Sequence, residues 1–180
     1  MKKLILIRHG EVPLAWQRRY IGSTNPPLSE EGRAGCRKLR EQFLAHNPVK
    51  IWCSPLLRAV QSAEEICPEQ EIGFDHRLRE IDFGDWENLS YQEICEVATP
   101  SQISTWAENI DEMVFPGGSS VREFNCAVDE FMDELPDEYP VALITHGGVL
   151  MRIISKIKNL PPERRFEALL PRGVMKVFEL

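Results

Sequence analysis

A chain of 180 residues with 43% hydrophobic and 27% charged side chains has the make-up of one globular domain, 1–180, with a sizeable core. Its formal net charge of -7 argues against a general affinity for nucleic acid or anionic membranes, so a site for an anion must build its positive field locally. No apolar run is long enough to cross a bilayer, and five cysteines without a Cys-x-x-Cys pair fit free thiols in a reducing cytoplasm.

Met1-Lys2-Lys3 opens like a signal peptide, but Arg8 ends the apolar run far too early for one. Leu4-Ile5-Leu6-Ile7 instead reads as a buried parallel strand, closed by Arg8-His9-Gly10. Consecutive side chains of a strand point to opposite faces. Arg8 and His9 therefore converge on one site only if the strand stops there, with Gly10 supplying the freedom to turn. Ligands of open α/β sheets bind at such carboxyl ends. The polar segment 11–27, with Trp16, Arg18, Arg19 and Tyr20, reads as a loop at the rim of the sheet. Ser29 is a suitable N-cap for a helix to about His46, with Glu30 and Glu31 in its first turn and Cys36, Leu39 and Phe43 on its buried face.

Lys50 to Cys53 follows as the second strand. Ser54-Pro55 then has the form of a cap and first residue of a helix, whose first turn would carry Arg58 to the same edge of the sheet. Glu71 to Arg77 suggests a third strand at an edge. Leu78 to Glu87 is an acidic loop interleaved with aromatic residues, and 90–116 holds short helical signals. Beyond the break at Pro116-Gly117-Gly118, Ser120 and Glu123 make a capping box for a helix with Val121, Phe124, Val128, Phe131 and Leu135 on one face. Val141 to Thr145 repeats the grammar of the first strand and ends in His146-Gly147-Gly148. A helix from Val149 to Lys158 and a strand from Val174 to Leu180 complete the chain. Strands alternating with helices indicate a three-layer α/β/α fold around a mostly parallel sheet.

The edge of that sheet collects Arg8, His9, Arg58 and His146, with Glu80 on a nearby loop. Two guanidiniums clamp a phosphoryl group with forked hydrogen bonds. A neutral imidazole attacks phosphorus, and a neighbouring arginine favours that neutral form. A second histidine stabilises the transferring oxygens, and a protonated carboxyl serves the leaving alkoxide. Charge and position alone leave open which histidine attacks, and which of Glu80, Asp82, Asp85 and Glu87 is the acid. Zinc would need a ligand spacing that is absent, and flanking arginines would repel the cation, so no metal is expected. Trp16, Tyr20, Trp86, Tyr91 and Trp106 are flat groups able to stack on a heteroaromatic base.

Four blocks carry a resemblance: Leu6 to Glu11, Ser54 to Ala63, Leu78-Arg79-Glu80 with Phe83 to Glu87, and Thr145 to Gly148. Together, in this order, they resemble the histidine phosphatase superfamily, the family of phosphoglycerate mutases and related phosphatases. The Phe-Gly-Asp-Trp-Glu form is similar to that of the α-ribazole phosphatases of cobalamin assembly. The resemblance implies a phosphoglycerate mutase-like fold and a phosphomonoesterase working through phosphohistidine without a metal. It implies His9 as nucleophile, Glu80 as acid and then base, and Arg8, Arg58 and His146 as phosphate ligands. The implied substrate is a small phosphate ester, α-ribazole 5′-phosphate. The oligomeric state, a homodimer included, is left open.

Three positions depart from the family pattern. Val12 stands where a hydroxyl residue is frequent, Ala15 where an asparagine helps hold phosphate, and Ser119 where a glutamate follows Pro-x-Gly. A mutase would carry Arg-His-Tyr-Gly near residues 79–84, where this chain has Arg-Glu-Ile-Asp-Phe-Gly. Hydrolysis is therefore favoured over transfer. A broad-specificity phosphatase, a phosphoglycerate mutase-like enzyme and a module that binds phosphorylated ligands without turnover are the alternatives.

Overall fold

The computed structural model describes residues 2–180. Its elements in chain order are β1 (Lys3–Arg8), α1 (Glu30–Ala45), β2 (Lys50–Cys53), α2 (Leu57–Ile66), β3 (Gly73–Phe74), α3 (Tyr91–Val97), α4 (Pro100–Glu108), α5 (Val121–Asp133), β4 (Val141–Thr145), α6 (Gly147–Ile157) and β5 (Met175–Glu179). The strands form one sheet in the order β3-β2-β4-β1-β5, with every neighbouring pair parallel except β1 and β5. Arg8 of β1 lies level with Thr145 of β4, so His9 and His146 leave the sheet side by side.

The side-chain period of two divides the core between the two faces. Leu4, Leu6, Val141 and Leu143 pack with Val128 and Phe131 of α5 and Val149, Leu150, Ile153 and Ile154 of α6. Ile5, Ile7, Ala142 and Ile144 pack with Cys36 and Phe43 of α1 and Ala59, Ala63 and Ile66 of α2. Both faces of β1 and β4 are thus covered, which is why these strands read as unbroken apolar runs. A third cluster, including Ile81, Trp86, Ile94, Met113 and Phe115, builds a cap from the 80s loop, α3 and the segment before α5.

The expected fold class holds, with local corrections. α2 starts at Leu57 rather than at Ser54-Pro55, with Leu56 as an N-cap that makes no side-chain bond. The side chain of Ser54 accepts from the Leu56 N–H and also meets His146, and the Leu57 N–H donates to Asn25 Oδ1 at 2.7 Å. The strand expected over 71–77 shrinks to Gly73–Phe74, because Asp75 caps a 3₁₀ turn over His76–Leu78. Ser120 caps α5 by accepting from the Glu123 N–H, while reciprocal capping boxes occur at Ser90 with Glu93 and at Thr99 with Gln102. α6 begins two residues before the expected Val149, directly at Gly147.

Candidate active site

The carboxyl ends of β1, β2 and β4 carry Arg8-His9, Ser54 and His146 to one edge. Arg8, His9, Arg58 and Glu80 line a cavity of about 370 Å³ there, and His146 is fully buried with its ring centroid 5.2 Å from that of His9. All five expected site residues are therefore gathered. Of the other acid candidates, Asp82, Asp85 and Glu87 do not line this cavity.

Local bonds fix each group. His9 Nδ1 lies 2.8 Å from the Gly10 carbonyl, which only accepts, so this nitrogen carries the proton. Neutral His9 then presents the lone pair of Nε2. Ser54 Oγ accepts from the Leu56 N–H and lies 2.7 Å from His146 Nε2. Its hydroxyl is left to donate to Nε2, which puts the His146 proton on Nδ1, a buried atom without a protein partner. Arg8 donates to the Leu170 carbonyl at 2.6 Å. Arg58 donates to the carbonyls of Thr24 at 2.8 Å and Gly22 at 2.9 Å. Glu80 accepts from the N–H of Gly148 at 3.0 Å and of Ile81 at 3.2 Å.

The glycines serve close approach. A Cβ at Gly148 would lie 2.3 Å from Glu80 Oε1, and one at Gly10 would lie 2.8 Å from both Cys36 Sγ and the Gly32 carbonyl oxygen. Gly10 has no positive φ. Tight packing against α1, rather than freedom to turn, explains a glycine at this position.

Burial first, then the charges of Arg58 and Arg8, hold His9 well below its ordinary value of 6.5. His146 is depressed in the same direction, again mainly by burial and then by Arg58. Both imidazoles are neutral near pH 7. Burial lowers Arg58 to about 10, opposed by Glu80 and Glu87, so it keeps its charge.

Sequence reasoning missed three supporting features. Arg172 lines the cavity and pairs with Glu11 at 3.1 Å, and the Gly173 N–H beside it donates to the His9 carbonyl at 2.9 Å. Pro171-Arg172-Gly173 ahead of the last strand was the available signal. Ser54 was read only as a helix cap. Glu87 accepts from the N–H groups of Gly22, Ser23, Thr24 and Phe83 and from the Thr24 hydroxyl, and so ties down the loop whose carbonyls receive Arg58.

The departures fall unevenly. Val12 is buried and lines the cavity, Ala15 is exposed, and Ser119 faces a second cavity that shares Glu80, Ile81 and Phe124 with the first. Among the five aromatic residues expected at the rim, Tyr20 and Trp106 line the site cavity. Trp86 is 1% exposed in the cap core, and neither Trp16 nor Tyr91 reaches the cavity. Phe83 and Phe115 complete the aromatic wall. Among the described residues, no three His, Cys, Asp or Glu side chains come together as metal ligands, and no helix is long and apolar enough to cross a membrane.

Comparison with known proteins places this geometry. The chain is 30% identical over 151 residues to phosphoserine phosphatase 1 of Hydrogenobacter thermophilus, covering 81% of this chain and 71% of that protein. It is 25% identical to the adenosylcobalamin/alpha-ribazole phosphatase of Salmonella typhimurium, over 99% and 90% of the two chains. The crystal structure of phosphoglycerate mutase from Thermus thermophilus superposes with a TM-score of 0.74 at 30% identity, over 97% of this chain and 91% of that one. The family model of the histidine phosphatase superfamily (branch 1) matches residues 4–179. With that match spanning both histidine-bearing strands and the arginines between them, the chain belongs to the histidine phosphatase superfamily.

Proposed function

We propose that the protein is a phosphomonoester hydrolase that acts through a phosphohistidine on His9. What carries this reading is the Nδ1–H of His9 bonded to the Gly10 carbonyl, which leaves Nε2 unprotonated in a cavity lined by Arg8, Arg58 and Glu80. The Nε2 lone pair forms the N–P bond as the P–O bond to the leaving alcohol breaks. Glu80 gives its proton to that oxygen. Water then attacks phosphorus and passes a proton to the Glu80 carboxylate, and the N–P electron pair returns to Nε2. Arg8, Arg58 and the Nδ1–H of His146 hold the equatorial oxygens as charge builds. No metal takes part. Free buried thiols at Cys36, Cys53 and Cys67 suit action in a reducing cytoplasm.

The test is transient labelling. Mixing with substrate, an alkaline quench that preserves phosphohistidine, and mass spectrometry should place phosphate on His9. His9→Ala should lower kcat by several orders of magnitude, as loss of a covalent nucleophile does. Substantial turnover by that variant would reject the mechanism.

The substrate we assign is α-ribazole 5′-phosphate. Support comes from the Salmonella relative's name and from a cavity whose aromatic wall of Tyr20, Phe83, Trp106 and Phe115 offers apolar surface to a base. Its kcat/KM should exceed that of 3-phosphoglycerate at least ~10-fold, about 1.4 kcal/mol of transition-state preference. Phosphate should pass to water, and chelators should have no effect. If 3-phosphoglycerate is hydrolysed faster, or passes its phosphate to a second glycerate, this substrate is wrong.

A further inference from the structure

Six buried side-chain polar atoms lack a protein hydrogen-bond partner among the described residues: Arg8 Nε, Trp52 Nε1, His146 Nδ1, Ser155 Oγ, Arg165 Nε and Arg172 Nε. Buried polar groups are ordinarily satisfied, so each such atom calls for a reason. Arg8, Ser155, Arg165 and Arg172 all line the site cavity. Arg8 and Arg172 belong to its phosphoryl end. Ser155 and Arg165 do not.

The geometry of α6 separates the two groups. Gly148, whose N–H holds Glu80, is followed on the same face by Met151, Arg152 and Ser155, and all four line the cavity. Ser155 lies seven residues beyond Gly148, about 10 Å along the helix axis at 1.5 Å per residue. A helical serine commonly bonds the carbonyl four residues back, but Ser155 Oγ has no such partner. Arg165 reaches the cavity from the 3₁₀ segment Pro162–Ala168. One of its terminal nitrogens donates to the Pro162 carbonyl at 2.9 Å, and its guanidinium lies 4.6 Å from the Phe166 ring centroid. The neighbouring polar groups are already engaged. Arg152 forks onto Asp129 at 3.0 and 2.5 Å, and Asn125 donates to Asp111 at 3.3 Å. Phe124, Met151 and Leu160 supply apolar wall.

From this arrangement we infer that Ser155 and Arg165 form a second polar pole that binds oxygen atoms of the leaving alcohol, which makes the substrate class a phosphorylated glycoside rather than a three-carbon phosphate. The inference rests on the phosphomonoesterase reading of the same site. A cavity of about 370 Å³ falls at the lower end of the ~300–1,000 Å³ of small-molecule sites, larger than a three-carbon phosphate needs. A sugar with its appended ring spans both poles, whereas phosphoserine or phosphoglycerate leaves the distal donors unpaired.

The experiment compares α-ribazole 5′-phosphate with phosphoserine on wild type, Ser155→Ala and Arg165→Met. These changes keep the helix and the arginine stem, and melting curves check the fold. The ratio of kcat/KM for the riboside over phosphoserine should fall about tenfold in each variant, the scale of one lost hydrogen bond to a charged or buried donor. Equal losses on both substrates, or a ratio within about twofold of wild type, would overturn the proposal. Calorimetric binding of the same two compounds gives the reading without turnover. If neither is hydrolysed but the variants selectively lose riboside affinity, the pole stands and the phosphatase reading alone fails. If neither compound binds the wild type, both fall.

Discussion

At the scale of single residues, the site works by committing protons in advance. The Gly10 carbonyl holds a proton on His9 Nδ1, and Ser54 holds one on His146 Nδ1. The first imidazole thereby offers a lone pair and the second a donor. Glu80 is held by two backbone N–H groups at the mouth of α6. If it protonates the leaving oxygen, Glu80→Gln should depend on the leaving group. Alkyl phosphates should lose on the order of 10²–10⁴-fold in kcat, the usual reach of general acid catalysis, and nitrophenyl phosphate far less. Parallel steady-state assays on the two esters decide this, and equal losses would assign Glu80 a positioning role. His9, Arg8 and His146 were legible because each ends or follows a strand with a glycine next to it. Arg172 was not, since Pro171-Arg172-Gly173 signals a turn without revealing that the last strand folds back antiparallel beside β1. Ser155 reads as an ordinary helix surface residue until the cavity beside it is known.

At the scale of elements, the loop 21–24 is held from two sides. Its N–H groups converge on the Glu87 carboxylate and its carbonyls on the Arg58 guanidinium. The loop thus transmits order from the cap to the Arg58 guanidinium. Glu87→Gln keeps the volume but can no longer accept at both ends. Inorganic phosphate should bind about tenfold more weakly, because the loop loses charge-assisted bonds worth ~1.5–3 kcal/mol each and Arg58 loses its fixed carbonyls. Calorimetry against phosphate, with melting curves alongside, measures this. Affinity equal to wild type would reduce Glu87 to a structural brace. The short helices of the cap were legible only as scattered signals, since their capping boxes act over three residues while their packing is long-range. The early start assigned to α2 failed for a related reason: Ser54 does accept the Leu56 N–H, but Leu56 stays extended and the Ser54 hydroxyl serves a partner 92 residues away.

At the scale of the whole molecule, two buried neutral imidazoles tie folding to pH. Each has a folded-state value well below the 6.5 of the exposed group. Below pH 6.5 the unfolded chain therefore binds protons that the folded chain refuses. Stability is complete above that value and falls on acidification, by about 1.4 kcal/mol per imidazole for each pH unit while the folded groups stay neutral. The unfolded imidazoles are only partly protonated at the start of the range, so two of them cost about 2 kcal/mol and the melting temperature should drop by roughly 4–8 °C between pH 6.5 and 5.5. Thermal melts across that range test it, and His9→Gln should show about half the slope. The carboxylates of Asp75 and Asp129, lowered below 3.8 by their arginine partners, lose their contribution only in a more acidic window. A flat melting temperature from pH 6.5 to 5.5 would mean that the histidines are not buried as neutral bases.

The alignment of Arg8 with Thr145 also sets a timetable. The strand that delivers the first histidine is synthesised well before the strand that delivers the second, with β2, β3 and α1 to α5 between them. The Gly173 N–H that grips the His9 backbone comes later still. Until β4 follows, the two histidines cannot stand side by side. A chain halted on the ribosome before β4 has neither the second imidazole nor a neighbour for β1 in the register that pairs the two histidines. Products that stop before β4 therefore lack the paired histidines altogether, and the side-by-side imidazoles report that synthesis has passed that strand.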